Sequence, residues 1–312
     1  MVDALEAYFA ANHDVSNGAS DKSIVAALTV DTAAIQRDYG FSAREIAATY
    51  VTIVHGALVN MVPTLFWCVA YVYSRPALLK RLRDELTTVL PIDQKEVNKG
   101  GNVQKTIEVD GDTIENSCPL LLSVVRETQR LVAIGTLHRR VLEDTTVTSN
   151  HEDGQEQTYV LKKGRSILLP VAVHHRSPLI WGAKPDEFDE NRFLGPQPYQ
   201  TEKTEGYQSK SLEEGANSSA HMRKLAYVPF GGGRELCPGR HFAITEVLGT
   251  LAMLIVGYDI KRPDGGPVKQ PQFGPSKMTA ATARPHPNAD LNVNIKKRVG
   301  WENVSWKVKD PN

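Results

Sequence analysis

The sequence predicts a mainly α-helical fold with small β-sheets. Three stretches, at about 42–73, 119–131 and 239–256, repeat apolar residues at the spacing of one helix face. Two shorter stretches, 157–161 and 166–169, are rich in strand-forming residues and are separated by a Lys-Lys-Gly turn. With 312 residues, the chain is long enough for one large domain or two small ones.

The composition excludes several classes of protein. The 36 basic and 36 acidic residues cancel, so no net charge attracts nucleic acid or an anionic membrane surface. Hydrophobic residues make up 41% of the chain, which is ordinary for a packed globular protein. Cys68, Cys118 and Cys237 are too few and too scattered for a disulfide framework, which favours a reducing compartment. The opening residues lack the charge pattern and apolar run of a signal peptide.

The N-terminal part leads into the longest helix. Residues 1–45 are predicted to form short helices, broken by a polar Ser/Asn/Gly stretch. Ser42 and Glu45 form a capping box at the start of the long helix. Pro63 interrupts this helix, and an interior proline removes one hydrogen bond and kinks the rod. The length also permits a transmembrane span, but Asn60 and Pro63 fit a buried, kinked core helix better.

The next segments alternate between charged and apolar patterns. Residues 74–90 form a charged amphipathic helix, and residues 91–117, rich in Gly, Asn and Asp, are predicted to be a surface insertion. In the helix at 119–131, Glu127 and Arg130 are three residues apart and therefore lie on one face. In isolation, such a pair is usually a surface ion pair that contributes little to stability.

The chain beyond residue 256 is rich in proline and glycine. Short strands are predicted between 257 and 297, and the last of them is an alternating strand at 291–295. The tail at 299–312 shows no pattern that indicates a role.

The run 230–239 has the clearest chemical signature, because three consecutive glycines precede a single cysteine. Glycines let the backbone turn sharply and approach a flat partner closely. Pro238 suits the first position of the helix that follows. Cys237 is therefore predicted at a helix N-terminus, where the positive end of the dipole favours a metal-binding thiolate. The alternatives are an inert cysteine, or a zinc site with His241 for which no further Cys/His pair supplies ligands.

The same run resembles the FxxGxxxCxG signature of the cytochrome P450 superfamily. Phe230, Gly233, Cys237 and Gly239 are in register with this signature, and Ala243 follows. The resemblance implies a haem b (iron protoporphyrin IX) whose iron is bound by Cys237, while the other four residues contact the cofactor. In this family, the thiolate ligand favours cleavage of the O–O bond.

Two further motifs support the resemblance. Residues 127–130 match ExxR, and residues 185–193 match the motif that supplies a second arginine, Arg192. Glu190 stands where the second proline of that motif is usual. The resemblance implies a buried structural triad of Glu127, Arg130 and Arg192, in which a carboxylate is bound by two guanidiniums.

The resemblance also implies residues that bind the haem propionates. Arg139 lies nine residues after the ExxR arginine, where relatives place such a residue, and a guanidinium matches a carboxylate. His138 and Arg140 are competing neighbours. In the cysteine run the usual propionate-binding base is replaced by Glu235, whose carboxylate cannot bind a propionate. The histidines at 174–175 are predicted to lie in a loop and not on a metal, because the resemblance already assigns the iron ligand.

The long helix resembles the helix that crosses the distal face of the haem. Its usual small-Gly-x-acid-Thr motif corresponds to residues 56–60, where Val59 replaces the acid and Asn60 the threonine. Together with Pro63, this pattern resembles the branch that contains sterol 7-alpha-hydroxylase and prostacyclin synthase. Asn60 is the implied catalytic residue; it can donate and accept hydrogen bonds but cannot relay a proton as a carboxylate does. Alternatively, Asn60 satisfies the backbone group freed by the proline.

The resemblance covers nearly the whole chain, but it corresponds only to the C-terminal part of a usual family member. It implies one partial domain over residues 1–312, truncated at the N-terminus, with 239–256 as the helix on the proximal side of the haem. The loop at 278–283 is expected to line the substrate pocket. The membrane anchor, the first helices and the loops that roof this pocket are expected to be absent, as in a fragment or an incomplete gene model.

The first functional hypothesis is a haem-thiolate monooxygenase, an oxidoreductase that inserts oxygen into an apolar, lipid- or sterol-like substrate. Electrons would come from an NADPH-dependent reductase on the cysteine side, where Arg234, Arg240 and His241 offer positive charge. For a full-length relative, the resemblance implies the cytoplasmic face of the endoplasmic reticulum membrane, with association only through an N-terminal anchor. The alternatives are a reductase-independent isomerase or dehydratase of an oxygenated lipid, and a non-catalytic haem-binding remnant.

Overall fold

The computed structural model of the protein describes residues 1–15, 26–91, 96–97, 103–150, 156–195, 219–234, 236–275, 281–289 and 291–309. The chain divides into two compact units, Met1–Met61 and Val62–Asn312. Short β-sheets accompany a mainly helical architecture, so the predicted fold class is confirmed.

The helices include the three that the long apolar patterns of the sequence predict. In the described residues the helices are α1 (Val2–Ala10), α2 (Ala27–Asp38), α3 (Ala43–Tyr73), α4 (Pro76–Val89), α5 (Gly111–Ser117), α6 (Pro119–Val132), α7 (Val171–His175), α8 (Pro178–Trp181), α9 (Ser219–Ala226) and α10 (Arg240–Gly257).

The strands are short and pair into small sheets. In the described residues they are β1 (Glu96–Val97), β2 (Val103–Val109), β3 (Thr136–Arg140), β4 (Thr145–Asn150), β5 (Glu156–Leu161), β6 (Ser166–Pro170), β7 (Tyr258–Lys261), β8 (Asn294–Lys297) and β9 (Val304–Val308). The β2–β9 pair is parallel, whereas the pairs β1–β2, β3–β6, β4–β5 and β7–β8 are antiparallel.

The first unit contains α1, α2 and the N-terminal part of α3. Arg37 donates two hydrogen bonds, at 2.6 and 2.7 Å, to the buried carboxylate of Asp14. The predicted capping box is present at the start of α3, where the Ser42 amide donates to the Glu45 carboxylate at 2.8 Å. The buried apolar core of this unit consists of Phe9, Ala33, Ile46 and Ala47.

Helix α6 is the central helix of the second unit, since 12 of its 14 residues are buried. Pro119 occupies its first turn, where a missing N–H costs nothing. The amides of Leu120 and Leu121 donate to the Glu85 carboxylate of α4 at 2.8 and 3.0 Å, which satisfies two N–H groups that the helix itself cannot. A helix buried on this scale brings even its charged residues into the interior.

Helix α10 is held at its C-terminal end by side chains from other elements. The carbonyls of residues 254–256 accept hydrogen bonds from the Tyr73 hydroxyl at 2.7 Å, Arg83 at 2.9 Å and Arg298 at 2.6 Å. Terminal carbonyls lack partners within the helix, and cations complement the negative end of its dipole. These bonds anchor α10 at its C-terminal end, and its N-terminal end follows Cys237.

We expect Tyr73→Phe to lower the free energy of unfolding by about 1 kcal/mol, because the Leu254 carbonyl loses its hydroxyl donor. Urea denaturation followed by circular dichroism measures the change. Tyr39→Phe is the matched control, since Tyr39 is 80% exposed. Equal stability of the Tyr73→Phe variant and the wild-type protein would contradict this role.

Two helices of the described part, α3 and α10, are long and apolar enough to cross a membrane by length and composition alone. Core helices of soluble proteins pass the same test. Eight residues of α10 are buried within the second unit, as in a core helix.

Several sequence predictions need correction. The segment 91–117 is not wholly a surface insertion, because its described part includes β2 and α5, which bury Ile107, Val109 and Ile114. The tail 299–312, which showed no pattern, contains β9, and this strand pairs with β2 over a separation of about 200 residues. The last predicted strand lies at β8, slightly later than 291–295. The polar stretch at 16–20 lies outside the described residues.

The predicted strand–turn–strand segment has both strands, but they do not pair with each other in the described residues. β5 pairs with β4, and β6 pairs with β3. The turn between β5 and β6 has Gly164 at a φ of +81°. The Gly164 amide donates to the Val141 carbonyl at 2.8 Å, so the turn is tied to the segment that joins β3 to β4.

Candidate functional site

Cys237 lies in the loop between α9 and α10. In this loop Gly231 and Gly233 have φ angles of +86° and +73°, a region that residues with a Cβ rarely adopt. The amide of Cys237 donates to the Phe230 carbonyl at 3.0 Å. The glycines thus allow the chain to reverse just before the cysteine, as the sequence predicts. Glu235 lies outside the described residues.

The start of α10 adjoins the cysteine sulfur. Gly239 is the N-cap and α10 begins at Arg240, so Pro238 lies in the preceding turn and is not the first helical residue. The Ala243 amide donates to the Gly239 carbonyl at 2.9 Å. A Cβ added to Gly239 would lie 3.9 Å from Cys237 Sγ, which is an ordinary van der Waals distance, so Gly239 adjoins the sulfur.

The three cysteines differ in exposure. Cys237 is a free, exposed thiol, whereas Cys68 and Cys118 are free and buried. Burial raises the pKa of both buried thiols to about 12, so they stay protonated at neutral pH. Among the described residues, no group of three His, Cys, Asp or Glu side chains is placed to hold a metal ion.

Arg139 of β3 reaches the cysteine loop. Its Nη2 donates to the Gly232 carbonyl, and its Nη1 donates to the His138 carbonyl at 2.9 Å. Arg139 is half-buried, whereas the side chains next to it on the strand, at His138 and Arg140, are exposed. Of the three neighbouring basic residues, Arg139 is therefore the one that the structure brings to the loop.

Glu127, Arg130 and Arg192 form an ion-pair triad in the interior. Arg130 donates to both carboxylate oxygens of Glu127, at 2.7 and 2.8 Å. Arg192 Nε donates to Glu127 Oε1 at 3.0 Å. The side chains of Glu127 and Arg130 are fully buried, and that of Arg192 is 9% exposed. The surface-pair alternative is therefore wrong for this chain.

Each member of the triad is also bound to backbone. Arg130 Nη1 donates to the carbonyls of His175 and Pro185, the latter at 2.7 Å. Arg192 Nη1 donates to the Trp181 carbonyl at 2.8 Å. The triad thereby links the segment 175–192 to α6, and its stabilising role stays a prediction.

Sequence reasoning missed His175. The pair 174–175 is not in a loop but in α7, and His175 is fully buried. Its two ring nitrogens lie 3.0 Å from the Arg130 carbonyl oxygen and 3.0 Å from the Val228 amide nitrogen. No local pattern distinguishes the two histidines, because α7 is too short to show a period.

The remaining predicted residues are placed as follows. Asn60 lies on α3 in the first unit and is half-buried, and its catalytic role stays a prediction. Of the loop predicted to line the substrate pocket, residues 281–283 are described. The Ala281 carbonyl accepts from the Ile134 amide at 2.8 Å, and the Ala283 amide donates to the Val132 carbonyl at 2.7 Å. This part of the loop is thus paired with the chain that leaves α6.

The comparison with known families agrees with the geometry of the cysteine loop. A model of the family "Cytochrome P450" matches residues 3–291. The chain belongs to the cytochrome P450 family. Proteins of this family bind haem b, and they generally take electrons from a reductase and act on hydrophobic substrates.

Relatives with assigned names support the same family. A cytochrome P450 monooxygenase of Gibberella zeae is 31% identical over 295 residues, covering 94% of this chain and 51% of the relative. The 25-hydroxycholesterol 7-alpha-hydroxylase of Rattus norvegicus is 26% identical over 262 residues, covering 84% and 56%. The 7-alpha-hydroxycholest-4-en-3-one 12-alpha-hydroxylase of Homo sapiens is 29% identical over 232 residues, covering 72% and 40%. The chain spans about half the length of the curated relatives it matches.

The residues of the cysteine loop fit a haem with a thiolate ligand. The thiol of Cys237 is free and exposed, so its sulfur is accessible to a ligand. Gly239 adjoins that sulfur, and the positive φ angle of Gly233 suits a residue without a side chain. A soft thiolate at a helix start is also a suitable donor for iron.

Proposed function

We propose that this protein is a haem-thiolate monooxygenase in which Cys237 binds the haem iron. The observation that carries the proposal is the exposed thiol of Cys237 in a glycine-turned loop that leads directly into α10. Haem held by a cysteine thiolate supplies oxygen activation, because the thiolate favours O–O cleavage. We propose that Phe230, Gly233, Gly239 and Ala243 shape the surface on which the porphyrin rests.

Arg139 is proposed to bind a haem propionate. Its guanidinium is half-buried at the cysteine loop and is oriented by the Gly232 and His138 carbonyls. Because a guanidinium has five donors and these bonds use only two, donors remain for a carboxylate. The buried triad would hold the surrounding segment in place.

The substrate is proposed to be an apolar, sterol- or lipid-like molecule. The names of the rat and human relatives refer to hydroxylation of cholesterol derivatives. Asn60 of α3 is proposed to contribute an amide donor and acceptor during catalysis. An amide neither gains nor loses a proton near neutral pH as a carboxylate can, so it would orient a water molecule and not relay a proton itself.

The electron donor is proposed to be an NADPH-dependent reductase. Arg234 and His241 are exposed and Arg240 is half-buried, which gives the cysteine side a positive surface for an acidic partner. For a full-length relative of this chain we propose the cytoplasmic face of the endoplasmic reticulum membrane, with attachment through an N-terminal anchor.

A carbon monoxide spectrum tests the iron ligand. Purified protein loaded with haem and reduced under carbon monoxide is expected to show the red-shifted band of a thiolate–CO complex, and Cys237→Ser is expected to abolish it. Cys68→Ala and Cys118→Ala are matched controls that keep the band, since both thiols are buried. A band that survives in Cys237→Ser would overturn the ligand assignment.

Turnover distinguishes the proposed activity from its rivals. The monooxygenase is supported if a sterol is converted to product only in the presence of NADPH and a reductase. Conversion of a lipid hydroperoxide without a reductase would instead support the isomerase or dehydratase. Haem uptake by the wild-type protein without turnover under either condition would support the non-catalytic haem-binding remnant.

A further inference from the structure

His175 occupies a buried aromatic cage. It is the last residue of α7 and has no exposed surface. Its ring stacks on Tyr227, with centroids 5.7 Å apart and an interplanar angle of 19°. The ring of Trp181 meets it edge-on at 6.4 Å. The imidazole is therefore enclosed by aromatic rings on one face and at one edge.

The two hydrogen bonds of His175 select one protonation state. The Val228 amide can only donate, so Nε2 of the ring must accept. The Arg130 carbonyl can only accept, so Nδ1 must donate. A neutral imidazole with its proton on Nδ1 is the one form that satisfies both partners.

These two bonds join the triad to the start of the cysteine loop. Arg130 is the buried arginine that holds Glu127. The Val228 carbonyl accepts from the Gly231 amide at 3.1 Å, which is the first turn of the loop that leads to Cys237. A second link runs alongside, since the Tyr227 hydroxyl bonds to Gln129 Oε1 at 2.9 Å.

We propose that His175 is a positioning residue for the cysteine loop, in which the Nδ1–H tautomer fixes the Val228 amide against the backbone of Arg130. The proposal rests on the proposed function only where the loop is said to present the thiolate to haem. Protonation of Nε2 would place an N–H against the N–H of Val228 and release the start of the loop.

The charges around the ring oppose that protonation. Arg130 from α6, His174 from α7 and Arg176 after α7 act on the ring as positive or potentially positive groups. The negative charge of Glu127 is paired with Arg130. The rings of Tyr227 and Trp181 that contact His175 are neutral and do not stabilise a charged imidazole as a carboxylate would. Burial and these cations lower the pKa of His175 to about 4, which keeps the accepting form at neutral pH.

Hydrogen–deuterium exchange tests the positioning role without haem. The His175→Phe variant keeps a flat ring against Tyr227 but makes neither of the two hydrogen bonds of His175. In this variant the Val228 amide is expected to exchange about tenfold faster than in the wild-type protein. The amide nitrogen and oxygen of glutamine are bonded to one carbon, just as the two imidazole nitrogens are bonded to Cε1. The His175→Gln variant can therefore donate and accept in a similar geometry, and its Val228 amide is expected to exchange at nearly the wild-type rate. His174→Phe is the matched control that leaves Val228 unchanged. Equal exchange in the Phe and Gln variants would overturn the proposal.

Nitrogen NMR of the wild-type protein gives an independent answer if the Phe variant does not fold. The expected result is one neutral His175 ring with its proton on Nδ1. A proton on Nε2 would overturn the proposal.

The carbon monoxide spectrum then links the residue to the ligand. The Phe variant is expected to lose a larger fraction of the thiolate–CO band than the Gln variant when both are acidified from pH 7 to pH 5. Unchanged bands in both variants would overturn the link to Cys237. If the wild-type protein shows no thiolate band at all but the exchange pattern holds, the proposed function fails and the positioning role stands.

Discussion

Glu127→Gln is expected to lower the free energy of unfolding by about 3–5 kcal/mol. The substitution keeps the shape of the side chain but removes the negative charge that is paired with Arg130, whose side chain is fully buried. One amide oxygen cannot replace the two carboxylate oxygens that accept from Arg130 and Arg192. The new amide N–H groups would also face a guanidinium. Urea denaturation at neutral pH, followed by tryptophan fluorescence, measures the loss.

A matched control for this variant lies in the same region. Glu187 pairs with Lys184 at 3.0 Å, but both side chains are mostly exposed. Because exposed ion pairs contribute little, Glu187→Gln is expected to change the free energy of unfolding by less than about 1 kcal/mol. A loss in Glu127→Gln no larger than that of the control would contradict the stabilising role of the triad.

The residues of the triad could be predicted from the sequence, but their burial, which determines how much the triad contributes to stability, could not. A separation of three residues places Glu127 and Arg130 on one helix face in any sequence. Only the burial of α6 makes that pair an interior one, and burial depends on elements far away in the chain. The family motif supplied this information for Arg192, which no local pattern connects to α6.

The cysteine loop was predictable for a similar reason. Glycines and the cysteine are local features, and the positive φ angles at Gly231 and Gly233 agree with them. The boundary of α10 was less accessible: two further turn residues, Pro238 and Gly239, precede the helix. Helix ends fray, and the last turn can form alternative hydrogen bonds, so a helix boundary is predicted from sequence only to within one or two residues.

The misassigned segments share a dependence on distant partners. The polar pattern of 91–117 does not reveal β2, which is the middle strand of its sheet because it pairs with β1 on one side and with β9 of the C-terminal tail on the other. Likewise, β5 and β6 are adjacent in sequence, but each finds its partner in an earlier strand. Strand pairing is set by tertiary contacts, which a short alternating pattern does not encode.

Acidification is expected to destabilise the protein through His175 by about 3 kcal/mol between pH 7 and pH 4. Burial and neighbouring cations lower the folded-state pKa of this imidazole to about 4, while the unfolded-state pKa is about 6.5. Between these two values the unfolded chain binds more protons than the folded one. The stabilisation is therefore complete above about pH 6.5, falls as the pH decreases, and levels off below about pH 4.

The variant His175→Gln isolates this contribution, because its amide makes similar bonds and does not titrate in this range. Carboxylates elsewhere in the chain, such as Asp14, whose pKa is lowered by its bond to Arg37, affect the wild-type protein and the variant equally. Free energies of unfolding from urea titrations at pH 7, 5.5 and 4 are expected to fall more steeply for the wild-type protein than for the variant, by about 3 kcal/mol over the whole range. Parallel pH profiles would show that the pKa of His175 is not lowered by folding, so that its Nε2 takes up a proton in the folded protein as readily as in the unfolded chain, which the bond from the Val228 amide to Nε2 does not allow.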